Sequence, residues 1–436
     1  MLRAAQAMSP RRSDFKEIHI IKRVVITGVG CVSPVGLSVE ESWNALIAGQ
    51  SGIATITAFD PEEWQLKTRV AGELKGFDPH SFMDRKEAKR VDRFSQMGLA
   101  AAQEAIAQSG LAIEGDFRYE VGTIVPSAVG GIISLVAQAY SLEKRGARRV
   151  DPFTIPKLMP NAASGFISTK FGTMGPSYAT VSACASGTDA IGTAVDMIRA
   201  GRARAMIAGG AEAAIEPIAV AGFEQAHALC TDSNDAPEKA SRPFDASRSG
   251  FVMGEGAGVL VLEDEELALE RGATILGEVA GWGAAADGYH MTAPDPEGRG
   301  GTQAVRAAMA NGEIDKSEVL HINAHGTSTP MNDKVESLVI RNVFGSQAYN
   351  IPVSSTKSMT GHLGGATGAL EAVICTKIIE TGVAPPTINY EHNDPECDLD
   401  YIPGTARTVG KGVVLSNSFG FGGHSSCLAI RPYDQQ

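Results

Sequence analysis

The chain has 436 residues, 43% of them apolar, with 49 glycines and a formal net charge of −12. Its length allows more than one hydrophobic core, and the acidic balance argues against nucleic acid as a bulk partner. Apolar runs such as Ala205–Gly209 are too short to span a bilayer, and six cysteines with no CxxC pair exclude a zinc knuckle or a dithiol site. Without a secretory signal, reduced thiols in the cytoplasm are expected.

Residues 1–21 precede the first convincing strand and read as a disordered or tag-like extension. Lys22 to Gly36, KRVVITGVGCVSPVG, reads as a buried strand running into a glycine turn. A dinucleotide fingerprint fails there, because Ser33 stands where the third glycine belongs and Pro34 blocks a helix start. Ser38 with Glu40 and Glu41 predicts a capped helix through Ile47. Arg85 to Arg93, RKEAKRVDR, is cationic with a helical pattern and leads into Phe94–Ser109. Arg145, Arg148 and Arg149 form a second basic cluster. Each cluster reads by itself as a solvated face, but two on an acidic chain fit docking of an acidic partner. Val121–Ile124 predicts a strand, followed by SAVGGI at Ser127–Ile132.

In YATVSACASGTDAIG, an extended pattern over Tyr178–Ser182 gives way to a helical one by Thr188. Cys184 falls at the junction, where free N–H groups and the positive helix end favour a thiolate. Small neighbours leave room for a carbonyl to approach. The residues alone leave Cys184 open between a nucleophile and a small buried cysteine. Ala205–Gly210 predicts a buried strand, Ser241–Glu263 a turn-rich stretch becoming a strand, and Glu265–Arg271 a helix stopped by Gly272.

The second half repeats the first coarsely. Val319–Asn323, Ile351–Ser355 and Gly412–Ser416 predict strands at stations matching Arg23–Thr27, Ala179–Ser182 and Ala205–Ala208. Strand ends meeting at a shared site after an internal duplication are expected. His321 and His325 have metal-helix spacing, but their neighbours put them on a strand, where four residues span roughly 13 Å. A shared metal is therefore disfavoured. Lys357-Ser-Met-Thr-Gly-His362 and Asn417-Ser-Phe-Gly-Phe-Gly-Gly-His424 form two further glycine-flanked loops. The second offers backbone N–H donors for an oxyanion near Phe421.

VSACASG, HGTSTPMNDKVE, TKSMTGHLGGATGALE and NSFGFGGH, in this order, resemble the β-ketoacyl-[acyl-carrier-protein] synthases of the elongating type. The likeness runs from Lys22 to the C-terminus. It implies a thiolase-like α/β fold, with two related halves (22–272 and 273–436) in five αβαβα layers. It also implies decarboxylative Claisen condensation of a Cys-bound acyl chain with malonyl carrier protein, extending the chain by two carbons. Carried over by position, Cys184 accepts the acyl group and His325 and His362 drive decarboxylation. Lys357 and Glu336 orient the histidines, and Phe421 gates the site. Thr327 and Thr329 hold the pantetheine arm, while Val129 and Phe223 contact substrate. Asn323, Glu371, Ser416 and Asn417 match a monovalent-cation site of some relatives. No other cofactor is implied, since phosphopantetheine arrives on the carrier. Arg85, Lys86, Lys89, Arg90, Arg148 and Arg149 would dock that acidic carrier, and the resemblance implies a homodimer without nucleic-acid or membrane partners. Two departures are visible: HLGGATG replaces the commoner HLLGAAG, and His424 stands where a well-known member has threonine. The alternatives are a polyketide ketosynthase of the same chemistry or a non-catalytic chain-length-setting partner, which an intact Cys184 disfavours.

Overall fold

The computed structural model describes residues 22–434, so the N-terminal extension 1–21 lies outside the described residues. The first strand is longer than its sequence pattern. In place of a glycine turn after Thr27, the chain runs extended and fully buried through β1, Val24–Val32. The glycines serve contact, not turning. Helix α2 (Arg93–Ser109) crosses this strand, and a Cβ on Gly28 or Gly30 would overlap the carbonyl oxygens of Ala105 and Ala101.

Ahead of it, α1 (Val39–Ile47) starts as its cap residues predict. The Glu41 N–H donates to Ser38 Oγ at 3.2 Å, and the Leu37 N–H donates to the Glu41 carboxylate at 2.8 Å, so two otherwise orphaned donors are satisfied. Arg85–Arg93, by contrast, is not one helix. Asp84 caps a single turn, Arg85–Ala88, and Asp92 caps α2 afresh at Arg93. Two N-cap aspartates cut the periodic pattern.

Five strands follow from each half of the chain. The first set is β1, β2 (Val121–Ile124), β3 (Ser177–Tyr178), β4 (Ala205–Glu212) and β5 (Gly256–Asp264). The second is β6 (Gly277–Ala286), β7 (Val319–Asn323), β8 (Val353–Ser354), β9 (Val413–Gly420) and β10 (His424–Arg431). Their spatial orders are β3-β2-β4-β5-β1 and β8-β7-β9-β10-β6. The strand directions agree as well, with two parallel pairs followed by two antiparallel pairs in each set. The two sets join edge to edge where Val25 and Ile26 of β1 meet Glu278 and Gly277 of β6. The repetition expected from sequence is therefore present, with one station corrected. Val319–Asn323 corresponds to Val121–Ile124, and the counterpart of β1 is β6.

The remaining long helices are α3 (Ile132–Arg145), α4 (Ala162–Phe171), α5 (Ser186–Arg199), α6 (Pro217–Gln225), α7 (Arg299–Asn311), α8 (Pro330–Phe344) and α9 (Thr367–Thr381). Helices α5 and α9 pack together, touching β4 and β5 on one side and β6 and β10 on the other. Helix α2 covers the outer face of the first set and α7 that of the second. Three hydrophobic cores match the three helical layers. The fold is thus α/β in five αβαβα layers, and α5 and α9 start side by side in its middle. That shared start is where the site lies.

Candidate active site

Cys184 sits in a tight turn, not at the end of a strand. Only Ser177 and Tyr178 pair in the sheet, and Ala183–Ala185 form a single 3₁₀ turn before α5. Ala183 has φ +51°, a left-handed conformation that costs an L-residue roughly 1–2 kcal/mol. Local hydrogen bonds hold it. Ser186 Oγ accepts from the Ser182 N–H at 2.9 Å and donates to the Ala183 carbonyl at 2.7 Å, while Ser182 Oγ donates to Asp189. Burial pushes the Cys184 thiol up to about 11, outweighing the thiolate preference expected of a helix start. The Lys357 charge and the backbone N–H groups of Phe421 and Cys184 act the other way, holding charge on the sulfur.

The two histidines arrive from the second half. His325 follows β7, and His362 follows the short helix Lys357–Thr360. His362 Nε2 lies 3.0 Å from Cys184 Sγ, and His362 Nδ1 lies 2.9 Å from Thr367 Oγ1. The imidazoles stand edge to face with centroids 5.3 Å apart. Phe419 packs against His325 and Phe251 against His362. Burial and the Lys357 charge lower both pKa values, His362 to about 3 and His325 well below the ordinary imidazole range. Both rings are therefore neutral at physiological pH. A neutral imidazole can give one N–H to a developing oxyanion without first losing a proton.

The groups expected to orient these rings do so indirectly. Glu336 accepts from the backbone N–H groups of His325 (2.8 Å) and Gly326 (2.7 Å) and from Asn417 Nδ2 (3.1 Å), so it fixes the chain and not the ring. Lys357, expected among the catalytic groups, is buried in an ion pair with Glu371 and does not line the cavity. It acts on the histidines through its charge. Burial raises Glu336 and Glu371 to about 7 each.

Asn323 and Ser416 face one another across β7 and β9, and Asn323 also reaches Glu371. Asn323 Oδ1 and Glu371 Oε2 are buried without a hydrogen-bond partner among the described residues. Two orphaned oxygens beside a hydroxyl are chemically suited to a hard monovalent cation. Asn417, one residue further along β9, sends its amide nitrogen to Glu336, and its Oδ1 is likewise buried without a hydrogen-bond partner among the described residues.

A cavity of about 340 Å³ opens over the sulfur, lined by Cys184, both histidines, Thr327, Thr329, Val129, Phe223 and Phe421. The two threonine hydroxyls are 3.0 Å apart. Phe421 lies in the turn between β9 and β10 and meets Phe223 at 6.2 Å between ring centroids. Strand β9 runs on through Gly420, past the Ser416 limit expected from sequence, and a Cβ on Gly420 would lie 3.0 Å from the Cys184 nitrogen. The strand thus brings the Phe421 N–H to the nucleophile.

The chain matches the family model "Beta-ketoacyl synthase, N-terminal domain" over residues 21–268 and the corresponding C-terminal domain over residues 276–391. It belongs to the β-ketoacyl synthase family. Relatives of this synthase named 3-oxoacyl-[acyl-carrier-protein] synthase 2 come from Synechocystis sp. and Staphylococcus aureus strain N315. They are 48% and 46% identical, covering 94% and 95% of this chain and 98% and 99% of theirs. Among solved structures, a β-ketoacyl synthase from Burkholderia phymatum is 37% identical with a TM-score of 0.87, covering 95% of this chain and 100% of that one. A type II polyketide ketosynthase in complex with its acyl-carrier protein is 34% identical with a TM-score of 0.86, at the same coverage.

Sequence reasoning missed Thr367, which holds His362 Nδ1, and the aromatic edges Phe251 and Phe419. Thr367 lies in HLGGATGALE, where nothing in the residues alone sets it apart from its small neighbours. The docking candidates Arg85, Lys86, Lys89, Arg90, Arg148 and Arg149 are all exposed. The Arg90 guanidinium lies 5.0 Å over the ring of Phe153, which follows the second basic cluster in the chain.

Proposed function

We propose that the synthase extends carrier-bound acyl chains by two carbons in fatty acid biosynthesis, with Cys184 as the acyl acceptor. The observation that carries this reading is Cys184 Sγ lying 3.0 Å from His362 Nε2 at the foot of a cavity also lined by His325. The Cys184 sulfur attacks the acyl thioester, its proton passing to His362 and from there to the leaving sulfur, so the carrier departs as its pantetheine thiol and the imidazole is neutral again. Malonyl carrier then binds. Its C–C bond to the carboxylate breaks, carbon dioxide departs, and the electron pair forms an enolate whose oxygen the two neutral imidazoles stabilise. The enolate carbon attacks the Cys184 thioester, and the backbone N–H groups of Cys184 and Phe421 receive the oxyanion. Collapse frees the thiolate and the β-ketoacyl carrier. Thr327 and Thr329 hold the pantetheine arm, Val129 and Phe223 border the acyl chain, and Phe421 swings on its flanking glycines between steps.

Identity favours the fatty-acid reading over polyketide assembly, at 46–48% against 34%. The exposed basic clusters support docking of an acidic carrier, as does the ketosynthase–carrier complex among the solved relatives. For a homodimer, β3 ends the sheet, and Ile155, Met159, Met174 and Val181 are exposed in the segments around it. The repeated strand order supports halves at 22–272 and 273–436. Asn323, Glu371, Ser416 and Asn417 are the groups that would hold a cation. Six free cysteines fit a reducing cytoplasm, and no helix among the described residues is long and apolar enough to cross a membrane.

Intact-protein mass spectrometry tests the reading. Acyl carrier should load an adduct that maps to Cys184 and that malonyl carrier discharges as a product two carbons longer. No adduct from any chain length would point to a non-catalytic partner instead.

A further inference from the structure

Glu212, the last residue of β4, has no part in the steps above. It is nevertheless buried, and it borders the cavity. Its hydrogen bonds all come from donors. The Ser127 hydroxyl donates to Oε1, while the N–H groups of Ala128 (2.8 Å) and Gly365 (2.9 Å) donate to Oε2. Ser127 Oγ in turn accepts from the N–H groups of Val129 (3.2 Å) and Gly130 (2.6 Å). An acceptor-only arrangement suits a carboxylate and not its acid or amide. The fit is close: a Cβ on Gly365 would lie 2.6 Å from the Ala128 nitrogen and 3.1 Å from Glu212 Oε2. One side chain therefore joins two turns, the one carrying Val129 and the one that follows His362.

We propose that Glu212 is a positioning residue that fixes the Val129 wall of the cavity against the His362 turn and so sets which acyl chain lengths reach Cys184. This rests on the reading that Val129 borders the acyl chain. An amide in its place keeps one acceptor oxygen and turns an NH2 donor toward the rest of the set, so the Ser127 hydroxyl or the Ala128 and Gly365 N–H groups lose their acceptor. Buried donors left unpaired must find water, and the Ser127–Gly130 turn, half-buried at Ala128 and exposed at Val129, can shift away from the Gly364–Ala366 turn to reach it. The wall then recedes where single methylenes are discriminated.

The experiment compares full-length wild type, Glu212→Gln, Glu212→Asp and Ser127→Ala, reading the rate of Cys184 acylation by mass spectrometry with carriers bearing short to long chains. Glu212→Gln should flatten the profile, cutting the ratio of preferred to next-longer chain by about tenfold. Glu212→Asp, which keeps an acceptor-only carboxylate on a shorter arm, should restore part of it. Ser127→Ala removes one donor and leaves the charge, so it should flatten the profile less, and it carries the test if Glu212→Gln does not fold. A variant that slows every chain by the same factor would overturn the proposal while leaving the condensing function intact. Wild type that accepts no chain at all would instead overturn the functional reading beneath it.

Discussion

His362 is held between two partners, with Nε2 3.0 Å from the Cys184 sulfur and Nδ1 2.9 Å from the Thr367 hydroxyl. His325, in the same cavity, has Nδ1 buried with no hydrogen-bond partner among the described residues. The two imidazoles are therefore not equivalent. Only His362 is placed to take the thiol proton, whereas both can face an enolate oxygen.

A split between the half-reactions follows. His325→Ala should lower malonyl-carrier decarboxylation by about 10²–10³-fold while leaving acylation of Cys184 nearly unchanged. His362→Ala should lower both, with the acylation loss also about 10²-fold or more. Carbon dioxide release and adduct mass read the two steps separately. Equal losses in both steps for both variants would contradict the asymmetry.

The acid–base balance of the site gives a second test. Burial places the Cys184 thiol at about 11, and the Lys357 cation is one of the influences holding it down. Iodoacetamide alkylation of Cys184, followed by peptide mapping, should therefore keep rising with pH well beyond the region where an ordinary cysteine levels off. Removing a cation destabilises a thiolate, so Lys357→Met should move the profile upward by about one pH unit. The same change relieves the imidazoles, and His362 should titrate above its present value of about 3. A wild-type profile that levels off at the ordinary cysteine value would show that the helix end and the backbone N–H groups outweigh burial.

Much of this arrangement was legible in the sequence because the reactive groups lie in short ordered runs. Cys184, His325, His362 and Phe421 each stand beside glycine or small residues at the ends of elements, and the cavity collects all four. What sequence hides is contact between elements. Lys357 sits in the histidine loop, but its partner Glu371 belongs to an apolar helix, so the ion pair could not be foreseen. Glu336 looked like a group that orients an imidazole and instead holds backbone. The glycines of β1 misled for a related reason. A glycine needed for a turn and one needed for close packing look alike until the helix that crosses them is placed.

That last distinction is itself testable. A Cβ on Gly28 would overlap the Ala105 carbonyl oxygen, a backbone atom in the middle of α2, so trimming a side chain cannot relieve it. Gly28→Ala must push α2 off β1 and with it disturb a core that includes Val32, Leu99 and Ala102. Overpacking of this kind costs about 3 kcal/mol, read as a lower denaturant midpoint at unchanged slope. The double variant Gly28→Ala/Ala105→Gly should recover nothing. Gly165 is the control, since it is exposed in α4 with nothing within 4 Å of an added Cβ. Gly165→Ala should stabilise by about 0.5–1 kcal/mol, because helical glycine carries the larger entropy cost. If Gly28→Ala were as stable as wild type, or if Ala105→Gly rescued it, the helix would not rest on that strand as described.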